Sequence, residues 1–106
     1  MSNAFENQVA VIAKLSAAPG KRDELVAALQ VGLQNVESEE GTLVYLLHED
    51  SGDADLLWFY ELYSGQDAFL AHAGSDAFKA LGATLAPLLG GRPELSFLKP
   101  LGGKGA

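Results

Sequence analysis

Cysteine is missing from all 106 residues. That absence removes disulfides, thiol nucleophiles and thiolate metal sites together, and it fits the reducing cytoplasm expected as the location. Basic residues are scarce: seven Lys and Arg stand against fourteen Asp and Glu, a net charge of −7. They are scattered from Lys14 to Lys104 without a dense run, so no nucleic-acid partner is expected, because phosphate binders carry a clustered basic footprint. The acidity reads as solubility. Long apolar runs are lacking too. "TLAPLLGG" is far too short to cross a bilayer, and "MSNAFENQ" has no basic segment followed by an apolar one, so neither membrane span nor secretory leader is expected. The two histidines, His48 and His72, are not at i,i+4 or HExxH spacing, which leaves little case for a metal. There is no GxSxG, and "GG" at 90–91 belongs to no phosphate-loop pattern.

What is present is a compact order of alternating elements. "QVAVIAKLS" (8–16) reads as a strand and "APGKRDE" breaks it. Asp23 to about Ser38 reads as a helix, with Leu25, Leu29, Leu33 and Val36 near one face. Gly41 ends it, where a positive φ is expected. "TLVYLLHE" (42–49) and "ADLLWFYELY" (54–63) are strands joined at hairpin spacing by "DSGD". Ser64 and Asp67 have the spacing of a capping pair opening a short helix to about Ala73. Gly74 stops that helix, and Ser75 caps a second one bearing Phe78, Leu81, Leu85 and Leu88, which Pro87 kinks or ends. "ELSFLKPL" (94–101) is the last strand. Residues 1–101 form one domain, and residues 102–106, "GGKGA", a flexible tail. The fold class is α+β: a ferredoxin-like β-α-β-β-α-β order with a four-stranded antiparallel sheet and a split second helix.

Both faces of that sheet are apolar. Leu56, Trp58, Tyr60 and Leu62 point one way, and Leu57, Phe59 and Tyr63 the other; Leu43, Tyr45 and Leu47 oppose Val44 and Leu46. The helices suffice to cover one face. Exposing the other would leave a patch larger than soluble monomers usually carry, so a homodimer through the sheet faces is expected.

The chain resembles the antibiotic biosynthesis monooxygenase family from about Val9 to Leu98. The likeness rests on "PGKRDEL", "EEGTLVYLLHED" and "FYELYSGQDAFLAHAGSDAFKAL", the last bringing Glu61, Tyr63 and His72 at the family's spacing. The resemblance implies a dimeric α+β barrel with a pocket inside each subunit, between helices and sheet. It implies a monooxygenase that oxidises a small phenolic, quinol or polyketide-like aromatic with molecular oxygen as co-substrate and no cofactor. Haem-degrading relatives are expected to place an iron-ligating histidine where this chain has Gly82, a tryptophan at His72 and an asparagine near Ala13; none is present, which argues against haem. Quinone-forming relatives tend to have tryptophan at Tyr63 and asparagine at Phe59.

Such chemistry needs a base and an apolar enclosure. Histidine suits the base because its ordinary pKa lies near neutrality. The expected catalytic residues are His72 as base, Glu61 to orient it and Tyr63 to bond a phenolate oxygen, with Phe59, Phe69, Phe78 and Tyr45 lining the pocket. The bland readings are a His72–Glu61 pair that merely closes a helix end, a Glu61 held by backbone N–H groups or Arg92, and Tyr63, Tyr45 and Trp58 as core or dimer surface. His48, near Glu49 and Asp50, reads as solvated. The alternatives to an oxygenase are a non-catalytic ligand-binding or stress-related dimer, which the departures at Tyr63 and Phe59 favour, and an isomerase of a small signalling compound, whose phosphate would need basic residues in the pocket.

Overall fold

Alternation at period two builds the sheet. In the computed structural model, which describes residues 5–105, the strands are β1 (Val9–Ser16), β2 (Thr42–Asp50), β3 (Asp53–Tyr63) and β4 (Glu94–Leu98). They form one antiparallel sheet in the order β2-β3-β1-β4, the ferredoxin-like arrangement. Residues 1–4, within the segment read for a leader, and Ala106 at the end of the tail lie outside the described residues. Among the described residues no helix is long and apolar enough to cross a membrane.

Three helices, α1 (Arg22–Asn35), α2 (Gln66–Ala73) and α3 (Asp76–Leu85), supply the second layer. The core they share with the sheet includes Leu25 and Leu29 of α1, Ala13 and Leu15 of β1, and Leu57 and Phe59 of β3. Gly32 lets α1 and α3 close up, since a Cβ there would meet Leu81 Cδ2 at 2.9 Å. Arg22 ties the start of α1 to the β2–β3 hairpin by donating to the Ala54 carbonyl and pairing with Glu49.

Several local expectations are corrected. The first helix ends at Asn35, and Val36–Ser38 tighten into a 3-10 turn. Gly41 has no positive φ; its missing side chain matters, because a Cβ would lie 2.4 Å from Ala68 Cβ on α2. Ser64 does not cap α2: the N-cap is Gly65 in extended conformation with no side-chain bond, while the Ser64 N–H is committed to the Gly41 carbonyl. Ser75 does cap α3, accepting from the Phe78 N–H at 3.1 Å. Pro87 sits in a 3-10 turn (Ala86–Leu88) that ends α3. The last strand stops at Leu98. Leu43 falls where the β2–β3 register shifts between Thr42 and Val44, so it leaves the strict alternation with Tyr45 and Leu47.

Candidate active site

The inner face of the sheet is set by register. Tyr45 pairs with Glu61 and Glu61 with Val11; one row along, Leu47 pairs with Phe59 and Phe59 with Ala13. A carboxyl therefore stands in the middle of an apolar layer, under the helices, and is 6% exposed. The Tyr63 hydroxyl, two residues on and on the same face, donates to Glu61 Oε1 at 2.5 Å. Burial pushes the Glu61 carboxyl above its ordinary range, while the Tyr63 bond and the nearby charge of His72 pull the other way. Burial first, and then the Glu61 contact, raise the Tyr63 hydroxyl far enough that it remains a donor.

A cavity of about 350 Å³ opens beneath the roof. Glu61, Tyr45 and Phe59 form part of its floor, and Phe78, Leu81 and Leu85 of α3 part of its roof. Its outer side runs along β4, where Leu95 is half exposed. Glu61 is the only Asp or Glu on this wall, and neither Lys nor Arg is there among the described residues. Size and lining match a site for a drug-sized apolar ligand oriented by few polar groups.

His72 is buried as expected but stands elsewhere. Its ring packs against those of Tyr45, Tyr63 and Phe78, with centroids 4.9–5.4 Å away, and it is not on the cavity wall. Its Nδ1 lies 2.9 Å from Glu39 Oε1. The expected His72–Glu61 hydrogen bond gives way to two separate bonds, because Tyr63 reaches Glu61 from the same strand and Glu39 reaches His72 from the turn before β2. Phe69 is corrected as well: it packs edge-on against Tyr63 and Phe97 instead of lining the cavity. Tyr45, Phe59 and Phe78 line it as expected. Arg92 makes no bond to Glu61 among the described residues, and His48 is exposed. Glu39 escaped the sequence reading, since "ESEEG" carries three glutamates in a row of turn residues and nothing in their spacing marks one. Among the described residues no three His, Asp or Glu side chains gather as a metal site.

A ferredoxin-like sheet roofed by helices over an apolar cavity with one buried acid defines a class of small α+β proteins suited to holding a hydrophobic molecule. The chain belongs to the antibiotic biosynthesis monooxygenase family, whose model matches residues 8–84. Solved relatives share the fold over nearly the whole chain. A candidate antibiotic biosynthesis monooxygenase of Caulobacter crescentus CB15 is 31% identical, with 93% of this chain and 94% of that one covered at a TM-score of 0.84. Rv0793 of Mycobacterium tuberculosis is 28% identical, covering 93% and 100% at 0.86. PA3566 of Pseudomonas aeruginosa is 25% identical, covering 94% and 100% at 0.84. No curated protein matches the chain.

Proposed function

We propose that this protein is an oxidoreductase of the monooxygenase type that oxidises a small phenolic, quinol or polyketide-like aromatic bound in the cavity, with molecular oxygen as co-substrate and no cofactor. Family membership supports the general class. The observation that carries the reading is the buried carboxyl of Glu61 on the wall of a cavity otherwise built from apolar and aromatic side chains.

Glu61 takes the role of base, because it touches the space a ligand would fill and His72 does not. An electron-rich phenol or enol loses its proton to Glu61, and the resulting anion passes an electron to oxygen. A carbon–oxygen bond then forms. For a substrate with a reacting CH2, one oxygen atom stays as a carbonyl and the other leaves as water with the two hydrogens of that carbon, so the substrate carbon supplies all four electrons. Glu61 returns its proton to the departing oxygen. Tyr63, bonded to Glu61, keeps the carboxyl turned toward the reacting hydroxyl, and the apolar walls exclude water. The lack of a basic lining residue counts against a phosphorylated substrate and hence against the isomerase reading.

The test is oxygen uptake by the purified protein with anthrone-type and menadiol-type substrates. The expected result is one oxygen consumed, with one water released, per ketone formed from an anthrone or per hydroxyquinone formed from a menadiol, the quinol itself supplying the electrons in the second case, and turnover is lost in Glu61→Gln. Tight binding of the aromatic without uptake would replace this reading by the ligand-binding one.

A further inference from the structure

One residue of the cavity wall contributes no side chain, and nothing in the packing asks for that. Gly82 lies inside α3, where glycine is less favourable than alanine because the unfolded chain has more backbone freedom to lose. Other glycines of this chain have a steric reason. A Cβ at Gly32 would meet Leu81 at 2.9 Å, and one at Gly41 would meet Ala68 at 2.4 Å. At Gly82 the φ angle is not positive. Apart from its chain neighbours and the helix backbone, a Cβ there meets no described atom within 4 Å. The fold would accept a side chain at this position, and the helix would gain from one.

The open space at Gly82 belongs to the cavity that holds Glu61. Phe78 stands four residues before Gly82 and Ala86 four residues after, so the three share one face of the helix, and all three line the cavity. On the β4 side the wall is made by Leu95 and, just before the strand, Pro93. These five residues are exposed, whereas Glu61 is buried. The cavity thus runs from an enclosed acid to an open rim, and at Gly82 α3 adds nothing to narrow that rim.

We infer that Gly82 is a specificity-determining residue: the space left by its absent side chain is a gap in the rim, and the far end of a ligand whose hydroxyl meets Glu61 lies in that gap. Length of the ligand is therefore set at this position. The rim residues Phe78, Ala86, Pro93 and Leu95 carry no charge, so the part of the molecule between them is an apolar ring edge. A side chain at Gly82 would fill the gap and exclude long ligands, while a single ring beside Glu61 would not feel it. This assignment rests on the proposed function only in taking Glu61 as the anchor for an aromatic hydroxyl.

The experiment measures binding without oxygen, so that no turnover occurs. Two probes share one functional group and differ in length: phenol, and 2-anthrol, a linear three-ring phenol. Their dissociation constants are read from NMR shift titrations of the whole chain and of Gly82→Ala, Gly82→Leu and Ala83→Leu. Ala83 is exposed and off the cavity wall, so leucine there adds the same bulk to α3 without touching the rim. Gly82→Leu should weaken 2-anthrol by about tenfold or more and leave phenol within about twofold. Ala83→Leu should leave both constants as they are in the unsubstituted chain. Gly82→Ala should weaken 2-anthrol by less than leucine does, and should raise the melting temperature by about 4 °C. Unchanged 2-anthrol binding in Gly82→Leu, or equal loss of both probes, would overturn the specificity role. So would a melting temperature that does not rise in Gly82→Ala, since the fold would then need the glycine; this decides the matter if Gly82→Leu fails to fold. An unsubstituted chain that does not bind 2-anthrol also overturns the inference, while oxygen uptake with a smaller quinol can still hold. Length-dependent binding without oxygen uptake keeps the role of Gly82 and removes the oxygenase reading.

Discussion

At the scale of single residues, the site is governed by the cost of burying a carboxyl. Glu61 has one protein hydrogen-bond donor among the described residues, the Tyr63 hydroxyl, and the rest of the cavity wall around it is apolar or aromatic, so its charged form is desolvated. Its folded pKa therefore exceeds its unfolded one, and the native state binds the proton more tightly than the unfolded chain does. The resulting stabilisation is fully present below the ordinary glutamate range and is lost as pH rises through the raised folded value. Glu61→Gln, which keeps shape and removes charge, should abolish that dependence. Urea midpoints measured across this range should fall with rising pH in the natural sequence and stay flatter in the variant, even as turnover drops by on the order of a hundredfold or more. Tyr63→Phe removes the donor and should cost about 1–3 kcal/mol at neutral pH, read from the same denaturation curves. The sequence made Glu61 legible because a lone acid between aromatic residues in an apolar strand is conspicuous, and His72 because imidazoles are rare here. It hid how the pairs are divided. Which carboxylate meets His72 depends on how the turn at Glu39 folds over α2, a contact 33 residues apart in sequence, and periodicity carries no information about that.

At the scale of elements, most of the fold follows from period and punctuation. Strands alternate, the first helix presents leucines every four residues, and Gly74 with Ser75 divides the second helical region as the sequence says. The failures share a cause: a local motif lost to a tertiary partner. Ser64 has a capping pattern, yet its backbone is recruited by Gly41. Gly41 looks like a helix stop and is instead a contact point, where α2 crosses so closely that no side chain fits. Gly41→Ala should thus push α2 away from β2 and destabilise by about 1–3 kcal/mol, the range for an overpacked core. Because His72 rides on α2, its bond to Glu39 should loosen too, visible as a change in the ring 15N shifts. Ser75→Ala gives the contrasting case. It removes a cap and the bond to the His72 carbonyl, and a loss of about 1 kcal/mol is expected in thermal or urea unfolding.

At the scale of the whole molecule, the two sides of the sheet differ in what covers them. Helices lie over Glu61, Phe59 and Leu57. On the opposite side Ile12, Val44, Leu56 and Tyr60 are only partly buried, and Leu46 and Leu98 are 52% and 45% exposed. The charged pairs of this face gather at one end, where Trp58 donates to Asp50, Lys14 lies over the Trp58 ring and Lys14 pairs with Glu94. Asp50 is correspondingly held below the ordinary carboxylate range, chiefly by the Trp58 bond. That distribution suits a second copy seated on the apolar end with the charged row at the rim. If half of a standard ~1,600 Å² interface were apolar, it would contribute on the order of 20 kcal/mol before association costs. Sedimentation at micromolar concentration should then give twice the 11.1 kDa of one chain. Because apolar contact is insensitive to screening, the mass should hold at high salt. Leu46→Asp places an unpaired charge on the apolar part of the face, beside Tyr60, and should return the mass to that of one chain while leaving the cavity on the other side intact, whereas an unsubstituted chain that already sediments as a single subunit would remove the argument for a partner.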